Sequence, residues 1–466
     1  MSAVIRSRAA LRSPVRRGGP GAGLGAGARG PGRAVVLGFA VAALVGTGLL
    51  SLPWATATGQ RAPWSDALFT AVSAVCVTGL ATVDTGTYWS VLGQVVILLL
   101  IQTGGLGFMT LASLLALLLS HRLGLRARLL AQAETKTLSA GDVRRVIARI
   151  VAFSLVSEAV LAVVLTVRFA TAHDVPLPRA AWYGVFHAIS AFNNAGFGLH
   201  PDNLVRYASD ALVCLPIAAA VILGGLGFPV VFELARSWRR PRSWSVLTRI
   251  TVLLTVVLLV LGTAAYVLLE RTNPATLGGQ DPGTTVLSAF FASAMARTAG
   301  FNSLDIAALR PETLFATDVL MFIGGGSAGT AGGIKVTTFG LLAYVLWAEV
   351  RGDTDVEVGR RRVPATNQRQ ALAVALLGVG LVTTSTLALL VLSEEEFYRV
   401  LFEAVSAFAT VGLSTGITAG LPEPARLVLV ALMFLGRVGP LSLASALALR
   451  ERGRRHQLPE ERTIVG

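Results

Sequence analysis

The sequence predicts an all-α polytopic membrane protein. It has four tandem helix–pore loop–helix repeats around one central pore, with eight transmembrane helices and four re-entrant pore helices. Three observations carry this prediction. Of 466 residues, 53% are hydrophobic and only 14% charged, where a soluble domain carries about a quarter charged residues. The apolar residues are gathered into eight runs long enough to span a bilayer. One twelve-residue pattern, finally, occurs four times.

Residues 1–33 are rich in Arg, Gly and Pro, show no hydrophobic periodicity, and read as a disordered basic cytoplasmic tail. The first apolar run covers roughly 34–53, and Ala55-Thr56-Ala57 behind it has the form of a signal-peptidase site. The long Arg-studded leader and an apolar length of about 20 residues favour a retained span over a cleaved signal. Further long runs begin near 88, 146, 208, 248, 314, 370 and 426. Within successive pairs lies a shorter apolar stretch, near 64–76, 181–192, 284–296 and 397–409. Each is too short to cross a hydrocarbon core of ~30 Å as a helix, and is expected to be a re-entrant pore helix. The repeats divide at 34–120, 121–236, 237–350 and 351–450, and 451–466 forms a second cytoplasmic tail.

Charge sets the orientation. Lys and Arg number seven in the tail, seven in 121–149, five in 236–249, five in 351–369 and five after 449, against nine in all the intervening loops. Both termini and the three inter-repeat links are therefore expected in the cytoplasm, with the short stretches entering from outside. The same distribution accounts for the net charge of +14 without nucleic acid as a partner. Cys76 and Cys214 both lie in apolar stretches and imply no disulfide framework.

The repeat is explicit in the residues. Phe69–Leu80, Phe186–Phe197, Phe290–Phe301 and Phe402–Leu413 align without gaps, each opening on Phe with Ala third, and ending in Gly followed by Leu or Phe. The closing glycines are Gly79, Gly196, Gly300 and Gly412. A second Gly-rich block follows each by 24 to 28 residues, at Gly104–Gly107, Gly224–Gly227, Gly324–Gly326 and Gly436–Gly439.

A short helix that stops mid-membrane leaves its last carbonyls unpaired and points its negative dipole end into the protein. The chain must then turn back in extended form, and Gly permits the turn without a side chain to occlude a passage. Four such turns make rings of carbonyl oxygens able to replace the hydration shell of an alkali cation. Since Cys76–Gly79, Asn193–Gly196, Arg297–Gly300 and Thr410–Gly412 contain no Asp or Glu, a divalent-cation filter is disfavoured. The competing reading makes the glycines packing devices in an inverted-repeat transporter. Against it stands the charge count, by which all four units enter from one side.

Val77-Thr78-Gly79-Leu80, Asn193-Asn194-Ala195-Gly196-Phe197, Arg297-Thr298-Ala299-Gly300-Phe301 and Thr410-Val411-Gly412-Leu413-Ser414 resemble the four filter segments of the Trk/Ktr/HKT potassium transporter superfamily. Ile323–Thr338 and Gly436–Pro440 share in the likeness, which runs from about residue 34 to 450. With eight spans and no additional N-terminal helix pair, the chain looks closer to the KtrB type than to the TrkH type. The resemblance implies an ion-binding filter at Val77, Thr78, Gly79, Asn194, Ala195, Gly196, Thr298, Ala299, Gly300, Thr410, Val411 and Gly412. It implies a homodimer with one pore per protomer, and a cytosolic ring of nucleotide-binding regulatory subunits of the KtrA/TrkA kind. Gly79, at a place where Ser goes with sodium permeation in plant relatives, favours potassium as the transported ion, with sodium a further candidate and no organic cofactor.

Gly324–Gly333 interrupts the third inner span, and Gly costs about 1 kcal/mol per helical position relative to Ala. Non-helical backbone at this depth must be buried or face water. A movable gate of Gly324, Gly325, Gly326, Ser327, Gly329, Thr330, Gly332 and Gly333, closed by Lys335, is favoured over a static kink. Arg437, within the last span, matches the family's arginine below the filter, the other reading being a structural ion pair. Glu158, mid-span, reads as a paired carboxylate rather than a proton relay. Arg297 is expected to point away from the axis, His187 and Glu403 to pack or cap. Asn193 and Asn194 supply side-chain oxygens or hydrogen bonds behind the filter.

The sequence thus favours potassium uptake through a channel-like pore driven by the membrane potential. A sodium- or proton-coupled symporter with alternating access is the alternative. No catalytic or phosphate-cradling motif supports an enzyme. The links 121–149, 236–249 and 351–369 are expected to help receive a regulatory polypeptide.

Overall fold

The computed structural model describes residues 31–122, 140–359 and 361–449. Most of the tail 1–33, the tail 451–466 and most of the first link lie outside them. The first helix starts at Pro31, inside the segment read from sequence as tail.

Each repeat is an outer helix, a short pore helix and an inner helix. The outer helices are Pro31–Leu50, Ala140–Ala172, Val246–Glu270 and Ala365–Leu392. The pore helices are Trp64–Val75, Leu177–Phe192, Pro282–Met295 and Phe397–Ala409. The first and last inner helices, Val91–Arg122 and Glu423–Leu449, are continuous. The other two are broken. The second runs as Ala211–Leu226 and Phe228–Ser237 with 102° between its halves, and the third as Pro311–Phe322 and Val336–Arg351. Among the described residues, Arg144–Ala172, Val246–Glu270 and Ala365–Leu392 are individually long and apolar enough to cross a membrane, and the two halves of the bent pair are so when taken together.

Burial follows this order. Pore helices are buried toward their C-terminal ends, as in Phe397–Ala409, where Val400 and every residue from Phe402 onward are buried. Outer helices keep one apolar face outward, as at Val163, Val260 and Val391. Such a face is stable in lipid, where it meets no water.

Packing closes into a cycle. Besides its own outer helix, every pore helix meets the inner helix of the repeat before it: first inner on second pore, second on third, third on fourth, and fourth on first. The outer helices follow the same order, with the first against the fourth inner helix. Cys76 and Cys214 are buried free thiols.

The bend in the second inner helix departs from the single span that the sequence suggests. Gly227 takes φ of 88°, and Pro229 follows. In a continuous helix Pro229 would lack the N–H for the Gly225 carbonyl and its ring would press on it. With Gly227 left-handed the helix ends at Leu226, leaving carbonyls that need other donors. On the opposite side of the third repeat, the link forms a small antiparallel hairpin, Glu357–Val358 with Arg361–Arg362, whose Val358 packs with Ile250, Ala348, Val356 and Val363.

Candidate functional site: a ring of glycine turns over an intramembrane loop

The four pore helices end alike. In the residues after them, Val77, Asn194, Thr298 and Thr410 have φ of 56°, 57°, 70° and 50°. Two residues on, Gly79, Gly196, Gly300 and Gly412 have φ of 95°, 70°, 72° and 95°. Left-handed backbone at alternate positions turns successive carbonyls to one side of a strand. Backbone bonds to the pore helix fix three of these turns: Thr78 N to Ser73 O (2.8 Å), Ala195 N to Ser190 O (2.7 Å) and Val411 N to Ser406 O (2.8 Å). In the third, Ala299 N donates instead to Met295 O (3.1 Å).

The four turns meet as a ring. A Cβ on Gly79 would strike the Ala195 carbonyl, one on Gly196 that of Ala299, one on Gly300 that of Val411, and one on Gly412 that of Thr78. Each glycine thus abuts the middle residue of the next turn, and the fourth returns to the first. All twelve residues that the sequence marks as filter are in this ring. Among the described residues, the buried hydroxyls of Thr78, Thr298 and Thr410 have no hydrogen-bond partner, and they are hard oxygens suited to an alkali cation. Above it, a cavity of about 320 Å³ touches all four glycines, and Asp84 is the one carboxylate among its described lining residues.

The second Gly block seats the inner helices. A Cβ on Gly104 would strike the Val75 carbonyl, on Gly224 that of Phe192, and on Gly436 that of Phe408. These carbonyls close equivalent turns of the first, second and fourth pore helices, so a residue without a side chain is required for close approach. The third repeat departs from this. Gly324 packs on the Gly332 carbonyl of its own loop.

That loop, Ile323 to Lys335, is held at both ends and from two sides. Gly324 N donates to Ile334 O (2.8 Å) and Val336 N to Gly325 O (3.0 Å). Gly326 N donates to Gly225 O (2.7 Å) and Thr330 N to Gly224 O (3.1 Å), satisfying the carbonyls freed by the bend. The Thr330 hydroxyl donates to Asn194 Oδ1 (2.7 Å), and Gly332 and Gly333 pack against Thr410 and Ala409. The loop therefore touches the second and fourth turns, which face each other across the ring. Ser327 and Thr337 hydroxyls pair at 2.7 Å. Lys335 Nζ bonds back to the Ala331 carbonyl, and Arg437, buried in the last inner helix, donates to the Thr330 carbonyl.

Arg297 lies behind the ring. Its guanidinium donates to the Thr255 carbonyl and hydroxyl (both 3.3 Å). Glu403 accepts from Ser414 Oγ (2.5 Å), Thr415 N (3.0 Å) and Thr418 Oγ1 (2.8 Å), fastening the chain that leaves the fourth turn. His187 stacks on His200 at 5.7 Å. Two features escape sequence reasoning. Gln102 joins Glu158 to Asn193, and Asp66 receives Arg426 (3.1 Å) and Thr82 (2.8 Å), pinning the fourth repeat to the first.

A ring of glycine turns at the ends of four pore helices defines a pore-loop membrane protein. Comparison with known proteins agrees. Residues 39–454 match the TrkH family of cation transport proteins. The chain is 39% identical over 440 residues to Ktr system potassium uptake protein B of Vibrio alginolyticus, covering 93% of this chain and 94% of the relative. It is 33% identical over 447 residues to the potassium/sodium uptake protein NtpJ of Enterococcus hirae, covering 94% and 97%. Its fold matches the crystal structure of the potassium transporter TrkH from Vibrio parahaemolyticus with a TM-score of 0.68, at 19% identity, over 90% of this chain and 85% of that one. The chain belongs to the TrkH family of cation transport proteins.

Proposed function

We propose that the protein takes up potassium through the glycine ring, which acts as its selectivity filter. The observation that carries this is the closed cycle in which each filter glycine abuts the middle carbonyl of the next repeat. Carbonyls at such spacing, with the Thr hydroxyls beside them, offer a dehydrated cation oxygen ligands on all sides. The pore helices point their C-terminal ends at the same place and add a favourable potential. The loop Ile323 to Lys335 is the gate, since it spans two opposite filter turns, and the Arg437 charge beside Thr330 opposes a resting cation there. The positive-inside distribution puts the pore-helix entrances outside the cell and the tails inside.

Two finer readings belong with this. The Ktr system names of relatives support work within a system of several components, which we extend to a homodimer with a cytosolic nucleotide-binding ring. The potassium/sodium name of another relative favours sodium as competitor or co-substrate.

The test is rubidium uptake into proteoliposomes under an inside-negative potential, with sodium as competitor and Gly300→Ser alongside. Uptake that sodium barely reduces, and that the variant alters, is the expected result. Uptake that requires sodium on the same side would replace the channel with a symporter. If uptake fails even with the regulatory ring added, the filter assignment is wrong.

A further inference from the structure

The residue just before the left-handed position of each turn differs among the repeats: Cys76, Asn193, Arg297 and Ala409. Asn193 caps the second pore helix and directly precedes Asn194, the first left-handed filter residue. Its side chain is enclosed. Asn193 Nδ2 donates to Gln102 Oε1 (2.9 Å), Glu158 Oε1 (3.0 Å) and Ile189 O (2.9 Å). Asn193 Oδ1 packs against Gly105, where a Cβ would strike it. Gln102 Nε2 in turn donates to both Glu158 oxygens, at 3.1 and 3.2 Å.

Glu158 is 5% exposed in the apolar middle of an outer helix, with Val156, Ala159, Val160 and Leu161 around it in sequence, and its described hydrogen-bond partners are amides. Packing alone would be served by an apolar residue, since a buried carboxylate is costly to place in a membrane protein. What a carboxylate supplies is polarity. When ionised it accepts only, and both amides turn their N–H groups toward it. That fixes which way Asn193 faces, and with it the backbone entering the second filter turn.

We infer that Glu158 is a positioning residue that sets ion preference, acting through Gln102 and Asn193 on the second filter turn. The inference rests on the filter reading above. Glutamine at 158 keeps the size but places an NH2 against the Gln102 NH2, and the amide orientation loses its reference. Exchanging the two residues, Glu158→Gln with Gln102→Glu, returns an acceptor-only group to Asn193 Nδ2.

The experiment measures rubidium uptake against sodium competition in proteoliposomes, with melting temperature in detergent read in parallel. Wild type, Glu158→Gln and the exchanged pair are compared. In Glu158→Gln the preference over sodium should fall roughly tenfold, the scale seen when outer-shell partners of metal ligands are lost, and the exchanged pair should recover it. An unchanged preference in Glu158→Gln would overturn the inference. So would a lower melting temperature and uptake with the preference intact, the mark of a merely structural role, or an exchanged pair that stays unselective. Wild type without any preference for rubidium would remove the filter reading itself, a result distinct from all of these.

Discussion

Val77, Thr298 and Thr410 hold left-handed backbone that costs a non-glycine residue about 1–3 kcal/mol. The ring maintains it because the neighbouring turns leave no other path. Of the paired positions, only the glycines are visible in sequence, since nothing marks a Val or Thr for positive φ. Gly412 shows what is at stake: with φ of 95° and the Thr78 carbonyl where a Cβ would go, Gly412→Ala should lower stability by roughly 1–3 kcal/mol and abolish selective uptake. Gly380, in the fourth outer helix with open space around it, is the control. Gly380→Ala should raise helix stability by up to about 1 kcal/mol and leave uptake unchanged. Melting curves and rubidium flux on the two variants check this. Asp210 carries a second prediction. Burial pushes its carboxyl up, but Arg168 Nε and His173 Nε2, both at 2.8 Å, together with Leu212 N, hold it below the ordinary 3.8. A depressed carboxyl stabilises the fold above its unfolded value and loses that contribution as pH falls through the folded one. The melting-temperature gap between wild type and Asp210→Asn, open at neutral pH, should therefore close below about pH 4.

At the scale of elements, the same tetrapeptide has two fates. Gly104-Gly105-Leu106-Gly107 stays helical, whereas Gly224-Gly225-Leu226-Gly227 ends its helix. The difference is Pro229, which the first repeat lacks, and which was the available signal for the bend. Periodicity and glycine spacing made the four repeats, the pore helices and the interruption at Gly324–Gly333 legible. They could not show that the third repeat's loop is completed by the second repeat's helix end, because the bonds from Gly326 to Gly225 and from Thr330 to Gly224 join residues far apart in the chain. The loop's hold on the filter is concentrated at Thr330, whose hydroxyl reaches Asn194 Oδ1 at 2.7 Å. Thr330→Val keeps the shape and leaves that buried acceptor unmet, a cost of about 1–3 kcal/mol. The expected outcome is a loosened gate, seen as higher rubidium flux in the absence of any partner. Flux equal to or below wild type would show that the loop is not the barrier.

At the scale of the whole molecule, the two broken inner helices are neighbours, and both lead toward the basic links. There the segments 236–249 and 351–369 adjoin: Arg249 Nη2 donates to the Arg242 carbonyl (2.6 Å), a Cβ on Gly359 would strike Arg249 Nη1, and Val358 and Val363 pack on Ile250. Glu233, on the lower half of the bent helix, ties itself to Ser245 and Thr248 of the same region through bonds of 2.6 Å. A push on the links therefore has a rigid path to the Gly227 bend, where Gly224 and Gly225 hold the loop. This makes the links the place where a cytosolic partner would act on the gate, and their exposed arginines the charges it would meet. Reversing Arg239, Arg240 and Arg362 to Glu removes charge without touching the buried contacts just named. In proteoliposomes reconstituted with the proposed nucleotide-binding ring, this variant should conduct rubidium at the rate seen without the ring and lose any response to nucleotide that wild type shows. A nucleotide response equal to wild type would place the docking surface elsewhere on the molecule.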